Sequence, residues 1–227
     1  MAAPTRAIKI APSLLAADLA RAAEQVDAAH EAGADELHVD VMDGHFAPNL
    51  TFGPSIVASI DKACDIPIST HLMVTDPEMF AEPFIQAGSD DLLFHAELDI
   101  DHVALARRIR SLGARPGIAL EMDTPAESAA KLVGEIDVIL VMTVKCGRTG
   151  QKFNPGPAGK IPKLREMFGG EIDIAVDGGV SVGNAGMLAR AGANVFVAGK
   201  AIFWADDMAE VIAQLRAAGE AALASDE

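Results

Sequence analysis

Cysteine is scarce in this chain, whose 227 residues hold only Cys64 and Cys146. Two thiols so far apart form no disulfide framework, which excludes the small cystine-stapled secreted scaffolds and suits a reducing, cytoplasmic compartment. Positive charge is scarce too: 18 Lys and Arg stand against 33 Asp and Glu, a net charge of −15. No basic run offsets that deficit, so neither nucleic acid nor an anionic membrane surface is expected as a partner. Long apolar runs are also missing. The N-terminal stretch carries Arg6 and Lys9, but Pro12, Ser13 and Asp18 interrupt it, so it reads as neither a signal peptide nor a membrane span. No Gly-x-Gly-x-x-Gly follows the first strand candidate, which leaves a dinucleotide fold without support. An anionic ligand would have to be met by helix N-termini, backbone amides or a few placed cations, against the long-range field.

What is present is apolar and periodic. Half the residues are hydrophobic, enough for one large core, and no composition shift marks a linker, so residues 1–227 are expected to form a single domain. Short β-rich runs fall at 8–12, 36–41, 66–71, 91–94, 115–119, 138–142, 172–176 and 195–198. Between and after them lie helix-like segments at 19–32, 54–63, 77–87, 102–112, 126–133, 161–168, 184–191 and 208–222. Gly33, Gly88, Gly113 and Gly192 stand where a helix would end, each a few residues before the next strand. Strict alternation demands parallel strands with helical crossovers. Eight such units predict an α/β fold of the closed (β/α)₈ (TIM) barrel type, with an open doubly wound sheet as the competing topology.

In such barrels reactive groups gather at the C-terminal ends of the strands. In the second strand, His38, Asp40 and Met42 alternate with Val39 and Val41. One face of that strand is therefore apolar, and the other carries an imidazole, a carboxylate and a thioether. Ser13 after the first strand, His71 on the third and Asp177 after the seventh add polar groups at the same end. Two histidines and two carboxylates form a plausible ligand set for one divalent metal: Zn, Fe and Co suit the histidines, and Mn is acceptable to the carboxylates.

These residues also carry a family resemblance. The stretch Leu37-His38-Val39-Asp40-Val41-Met42-Asp43-Gly44-His45-Phe46-Ala47-Pro48-Asn49-Leu50-Thr51-Phe52-Gly53 resembles the signature of ribulose-phosphate 3-epimerases. So do Ile10-Ala11-Pro12-Ser13, His71-Leu72-Met73-Val74, Phe94-His95-Ala96-Glu97, Met142-Thr143-Val144, Gly150-Gln151-Lys152-Phe153 and Val176-Asp177-Gly178-Gly179-Val180. The resemblance implies a metal-dependent (β/α)₈ isomerase that inverts carbon 3 of a ketose phosphate, foremost D-ribulose 5-phosphate to D-xylulose 5-phosphate. It further implies that His38, Asp40, His71 and Asp177 ligate the metal, and that Asp40 and Asp177 are the acid/base pair. Met42, Met73 and Met142 would line the site, Ser13 would touch the substrate, and the protein would be a symmetric homo-oligomer. Inversion beside a ketone needs one group to remove the proton from one face and another to deliver a proton to the other, through a planar enediolate. Strands two and seven, with strand one between them, would present Asp40 and Asp177 from different sides of the ring.

The loops expected to hold the phosphate depart from the family pattern. After strand six the family usually reads Asn-Pro-Gly-Phe-Gly-Gly-Gln, whereas this chain has Lys145-Cys146-Gly147-Arg148-Thr149-Gly150-Gln151. After strand eight the usual Gly-Ser is Gly199-Lys200, and Ala47 and Glu121-Met122-Asp123-Thr124-Pro125 also differ. Gly147, Arg148, Gly150, Gln151, Gly178, Gly179, Gly199 and Lys200 are thus the expected phosphate-end contacts. Arg148 and Lys200 are the cations that would either replace part of an amide cradle or receive a more anionic substrate. Allulose 6-phosphate or a tetrulose phosphate is the alternative substrate, and a non-catalytic sugar-phosphate sensor the alternative function. Decarboxylating and aldol-type barrels carry Asp-x-Lys-x-x-Asp at strand three. Nothing near His71 matches it, and Met42 stands where strand two would need a lysine.

Overall fold

A computed structural model describes residues 7–148 and 150–224. Its strands are β1 (Lys9–Pro12), β2 (Leu37–Met42), β3 (Ile68–Met73), β4 (Asp91–His95), β5 (Arg115–Leu120), β6 (Val138–Met142), β7 (Asp173–Asp177) and β8 (Val195–Ala198). Its α-helices are α1 (Ala22–Glu31), α2 (Pro54–Asp61), α3 (Pro77–Gln86), α4 (His102–Ser111), α5 (Ile161–Phe168), α6 (Val182–Ala191), α7 (Lys200–Phe203) and α8 (Met208–Ala224). All ladders are parallel and run in the order β1-β8-β7-β6-β5-β4-β3-β2. A parallel bridge between Ser13 and His38 brings β1 against β2 and all but closes the ring. The expected (β/α)₈ barrel is therefore the architecture. Among the described residues no helix is long and apolar enough to cross a membrane.

Period-two alternation sorts the strand residues into two cores. Val39, Val41, Leu72, Phe94, Ile118, Ile139, Ile174 and Phe196 point outward and pack under the helices. Met42, Met73, Leu93, Ala119, Leu140, Met142, Ala175, Val195 and Val197 fill the barrel interior. The glycines that end α1, α3, α4 and α6 all have positive φ, as the sequence pattern implies. At Gly88 a side chain is excluded twice over: φ is +109° and an added Cβ would lie 2.5 Å from Asp61 Cγ.

Two expectations need correction. The segment 126–133 is a 3₁₀ helix (Ala126–Leu132), not an α-helix. Its buried residues Ala126, Ala129 and Leu132 recur every third position, the repeat that places them on one face of a 3₁₀ turn. Asp177 is the last residue of β7 rather than a residue beyond it, so its side chain is held by strand geometry.

At the N-terminal end the barrel is plugged by charge. Asp173 Oδ2 accepts from Lys9 Nζ at 3.0 Å and Arg115 Nη2 at 2.7 Å, and Asn194 Nδ2 donates to its other oxygen at 2.8 Å. These donors hold the Asp173 carboxyl well below the usual range despite its burial. Asp91 fares differently. Its Oδ1 lies 3.2 Å from Arg115 Nη1, yet no donor is aligned on that atom. Burial pushes its carboxyl up to about 7, only partly opposed by Arg115. A folded-state value above the unfolded one (about 3.9) stabilises fully below that value and loses its effect as pH rises through 7. Unfolding by urea between pH 4 and pH 8 should therefore show a falling component of stability that Asp91→Asn removes. An unchanged slope in the variant would mean that Asp91 is not its source.

Candidate active site

The register decides which polar groups meet. Asp40 pairs with His71 across β2 and β3, Met42 with Met73, and Met142 with Asp177 across β6 and β7. All of these project inward at the C-terminal end, and His38 lies one inward position below Asp40. His71 Nδ1 is 3.2 Å and His38 Nε2 3.3 Å from Asp40 Oδ1, while Ser13 Oγ donates to Asp40 Oδ2 at 2.7 Å. One potential ligand atom from each of His38, Asp40, His71 and Asp177 lies within 4.8 Å of the others.

That set suits a divalent cation. His38 Nε2 is buried and, despite its approach to Asp40, has no aligned hydrogen-bond partner, a costly state unless something fills the space before it. Two imidazoles and two carboxylates match Zn, Fe, Mn or Co. The two carboxylates are electrostatically unequal. Burial raises both, but at Asp40 the neighbouring imidazoles, His38 first and then His71, prevail and hold the carboxyl far below the usual range. Asp177 is raised by burial and then by the charge on Asp40. Their strands are three steps apart around the ring. Both β1 and β8 lie between them, not β1 alone as expected.

Asp40 and Asp177 stand at the floor of a cleft of about 190 Å³. Ser13, Met42, Met73 and Met142 line its lower wall. Gly147, Arg148, Gly150 and Gln151 from the loop after β6 line the rim, facing Gly178 and Gly179 after β7 and Gly199 and Lys200 after β8. His38 and His71 lie beneath, off the cleft surface. Gly178 and Gly179 permit the close backbone approach of this rim. An added Cβ at Gly178 would lie 2.8 Å from the Val144 amide nitrogen, and one at Gly179 2.6 Å from that of Phe153.

Two rim residues behave differently from the expectation that they simply face the phosphate. Gln151 lines the cleft, but its amide donates to the carbonyls of Lys145 at 2.6 Å and Arg148 at 3.0 Å, tying its own loop together. The Lys200 ammonium sits 4.0 Å from the centroid of the Trp204 ring, a cation–π contact on the rim. Thr149 lies outside the described residues.

His95 and Glu97 belong to a stretch that carries the family resemblance, but no site role was expected of either. His95, at the end of β4, is fully buried, with Nε2 2.9 Å from His71 Nε2 and Nδ1 2.8 Å from Glu97 Oε2. The Phe46 ring packs on it at 4.4 Å between centroids. Ending the fourth strand at residue 94 hid it; one more step of alternation from Leu93 would have turned it inward. Cys146 is a buried loop thiol 3.8 Å from His95 Nε2, and burial pushes its pKa up, which makes it a poor nucleophile.

Residues 9–203 match the model of the ribulose-phosphate 3 epimerase family. The chain belongs to that family. It is an isomerase family, acting as carbohydrate epimerases. The ribulose-phosphate 3-epimerase of Mycobacterium bovis is 44% identical over 98% of both chains. The cytoplasmic isoform of ribulose-phosphate 3-epimerase from Oryza sativa subsp. japonica is 42% identical over 94% of this chain and 95% of its own. Among solved structures, the 3-keto-L-gulonate-6-phosphate decarboxylase of Vibrio cholerae superposes with a TM-score of 0.73 at 16% identity, covering 96% of this chain and 99% of that one. That likeness is one of fold alone.

Proposed function

We propose that this member of the ribulose-phosphate 3-epimerase family interconverts D-ribulose 5-phosphate and D-xylulose 5-phosphate, with Asp40 and Asp177 as the two bases. The observation that carries this reading is the pair of unequal carboxylates on β2 and β7, sharing one cluster with two histidines at the floor of the cleft. Asp40, ionised and held by Ser13, takes the carbon-3 proton from one face. Asp177, protonated, delivers its proton to the other, and the reverse reaction exchanges the roles. A divalent ion held by His38, Asp40, His71 and Asp177 would act as a Lewis acid toward the substrate's oxygens. Met42, Met73 and Met142 give the planar intermediate a dry, polarisable wall with no competing proton. Gly178, Gly179 and Gly199 offer backbone at the phosphate end, with Arg148 and Lys200 as nearby cations. A cytoplasmic homo-oligomer completes the proposal. Its location is supported by two buried free thiols and a relative named as a cytoplasmic isoform.

Proton NMR in D₂O tests the substrate and the chemistry together. D-ribulose 5-phosphate should gain deuterium at carbon 3 as xylulose 5-phosphate appears, faster than allulose 6-phosphate or a tetrulose phosphate exchanges. Faster exchange with one of those would move the substrate to the alternative that Arg148 and Lys200 favour. No exchange with any of them would sink the enzymatic reading in favour of a sensor.

A further inference from the structure

Beneath the cluster, His71 is one end of a closed hydrogen-bond chain that leads away from the substrate. Glu97 anchors the other end. Its Oε1 accepts the backbone N–H of Glu121 at 2.9 Å and the Thr124 hydroxyl, while Oε2 faces His95 Nδ1. The loop supplying those donors is itself pinned, because Lys160 Nζ donates to the carbonyls of Glu121 at 2.7 Å and Met122 at 3.0 Å. Burial alone would raise the Glu97 carboxyl, but the hydrogen bonds from His95, Thr124 and Glu121 hold it down to about 2. Glu97 is thus an acceptor at both oxygens.

Ionised carboxylates stand at both ends of this chain, and the shorter contact, 2.8 Å at Glu97 Oε2 against 3.2 Å at Asp40 Oδ1, sets its direction. An acceptor at Oε2 requires a proton on His95 Nδ1, so in neutral His95 the Nε2 atom is bare. His95 Nε2 and His71 Nε2, 2.9 Å apart, share one proton, which must reside on His71. His71 Nδ1 is therefore bare, and its lone pair faces Asp40 Oδ1 from 3.2 Å.

We propose that Glu97 and His95 are positioning residues that lock His71 as its Nε2–H tautomer, presenting the Nδ1 lone pair to the divalent ion before it binds. The metal reading under the proposed function is presupposed here, while the tautomer itself exists without the ion. Glu97→Gln sets a donor against a donor whichever way its amide turns. The NH₂ group must face either the Glu121 N–H and Thr124 hydroxyl or the His95 Nδ1–H, and the second arrangement reverses the chain.

Long-range proton–nitrogen correlation spectra of histidine-labelled protein read the tautomers directly, and competition with a chromophoric chelator reads Zn²⁺ affinity. The metal-free wild type should show His71 protonated at Nε2 and His95 at Nδ1. Glu97→Gln should populate the other His71 tautomer and weaken Zn²⁺ by about 10- to 100-fold, the usual cost of losing a ligand's supporting hydrogen bond. Thr124→Val, which spares the carboxylate and its backbone bond, should stay near wild type, and Glu97→Asp should recover part of the loss. A wild-type His71 carrying its proton on Nδ1, or a folded Glu97→Gln variant with wild-type affinity, overturns the proposal. If Glu97→Gln does not fold, the wild-type spectra alone decide. A wild type that binds no Zn²⁺ would sink the metal reading instead, with the metal-free spectra still deciding the tautomer.

Discussion

Asp40→Asn and Asp177→Asn should each lower kcat/KM for epimerisation by at least about 10⁴-fold, the upper range for a positioned acid/base group. Each replacement removes both a proton carrier and one of the four grouped ligand atoms, so assays belong at saturating metal, with occupancy measured. Exchange in D₂O then separates the two roles. A variant with one base left can still remove and return a proton on that base's side. Each variant should therefore exchange carbon 3 of one epimer only, and the two should favour opposite epimers. Loss of inversion with equal exchange of both epimers in either variant would assign both proton transfers to a single group. Retained turnover in both would move the chemistry away from these carboxylates altogether.

Asp40 was legible from the sequence because β2 is a clean case of alternation. Val39 and Val41 had to face helices, so His38, Asp40 and Met42 had to face inward, and parallel register then placed His71 beside Asp40. Asp177 was visible as a polar residue before two glycines, but its strand was placed one residue early, since Ile172 continues the apolar run of β7 while Asp173 faces the charged plug inside. The same kind of error at β4 concealed His95. Strand ends carry weak propensity signals and are set by ladder partners, here His95 against Ala119, which belong to distant sequence.

Long-range pairing of side chains was the harder part. Nothing local says that Glu97 would meet Thr124 and the Glu121 amide, or that Gln151 would spend its amide on its own loop. The same holds for Lys200, whose ammonium meets Trp204 because the short helix α7 turns both residues to the rim. Lysine in place of the family's serine suggested a phosphate contact, and α7 itself was absent from the expected elements. The fold was more legible than the rim because barrel topology follows from a pattern repeated eight times, whereas each rim contact depends on one loop path.

Metal removal is the second large effect, and it has two readouts that must move together. Dialysis against a chelator should reduce epimerisation to background, and readdition of Zn²⁺, Mn²⁺, Co²⁺ or anaerobic Fe²⁺ should restore it to different extents that rank the ions. An ion bound only by the folded protein also stabilises it, by about 2.7 kcal/mol at a hundredfold excess over Kd. For a chain of this size that corresponds to a rise in Tm of roughly 5 to 10 °C. His38→Ala tests whether the increment arises at this cluster, because His38 Nε2 is the ligand atom with no aligned partner of its own. The variant should lose both the restored activity and the metal-dependent rise in Tm. Its metal-free Tm should also fall, since Asp40 would lose the His38 imidazole that does most to favour its buried charge and keep the Ser13 hydroxyl as its donor. A variant that is inactive yet keeps the full metal-dependent increment would place the stabilising ion elsewhere and leave His38 a role in substrate geometry alone.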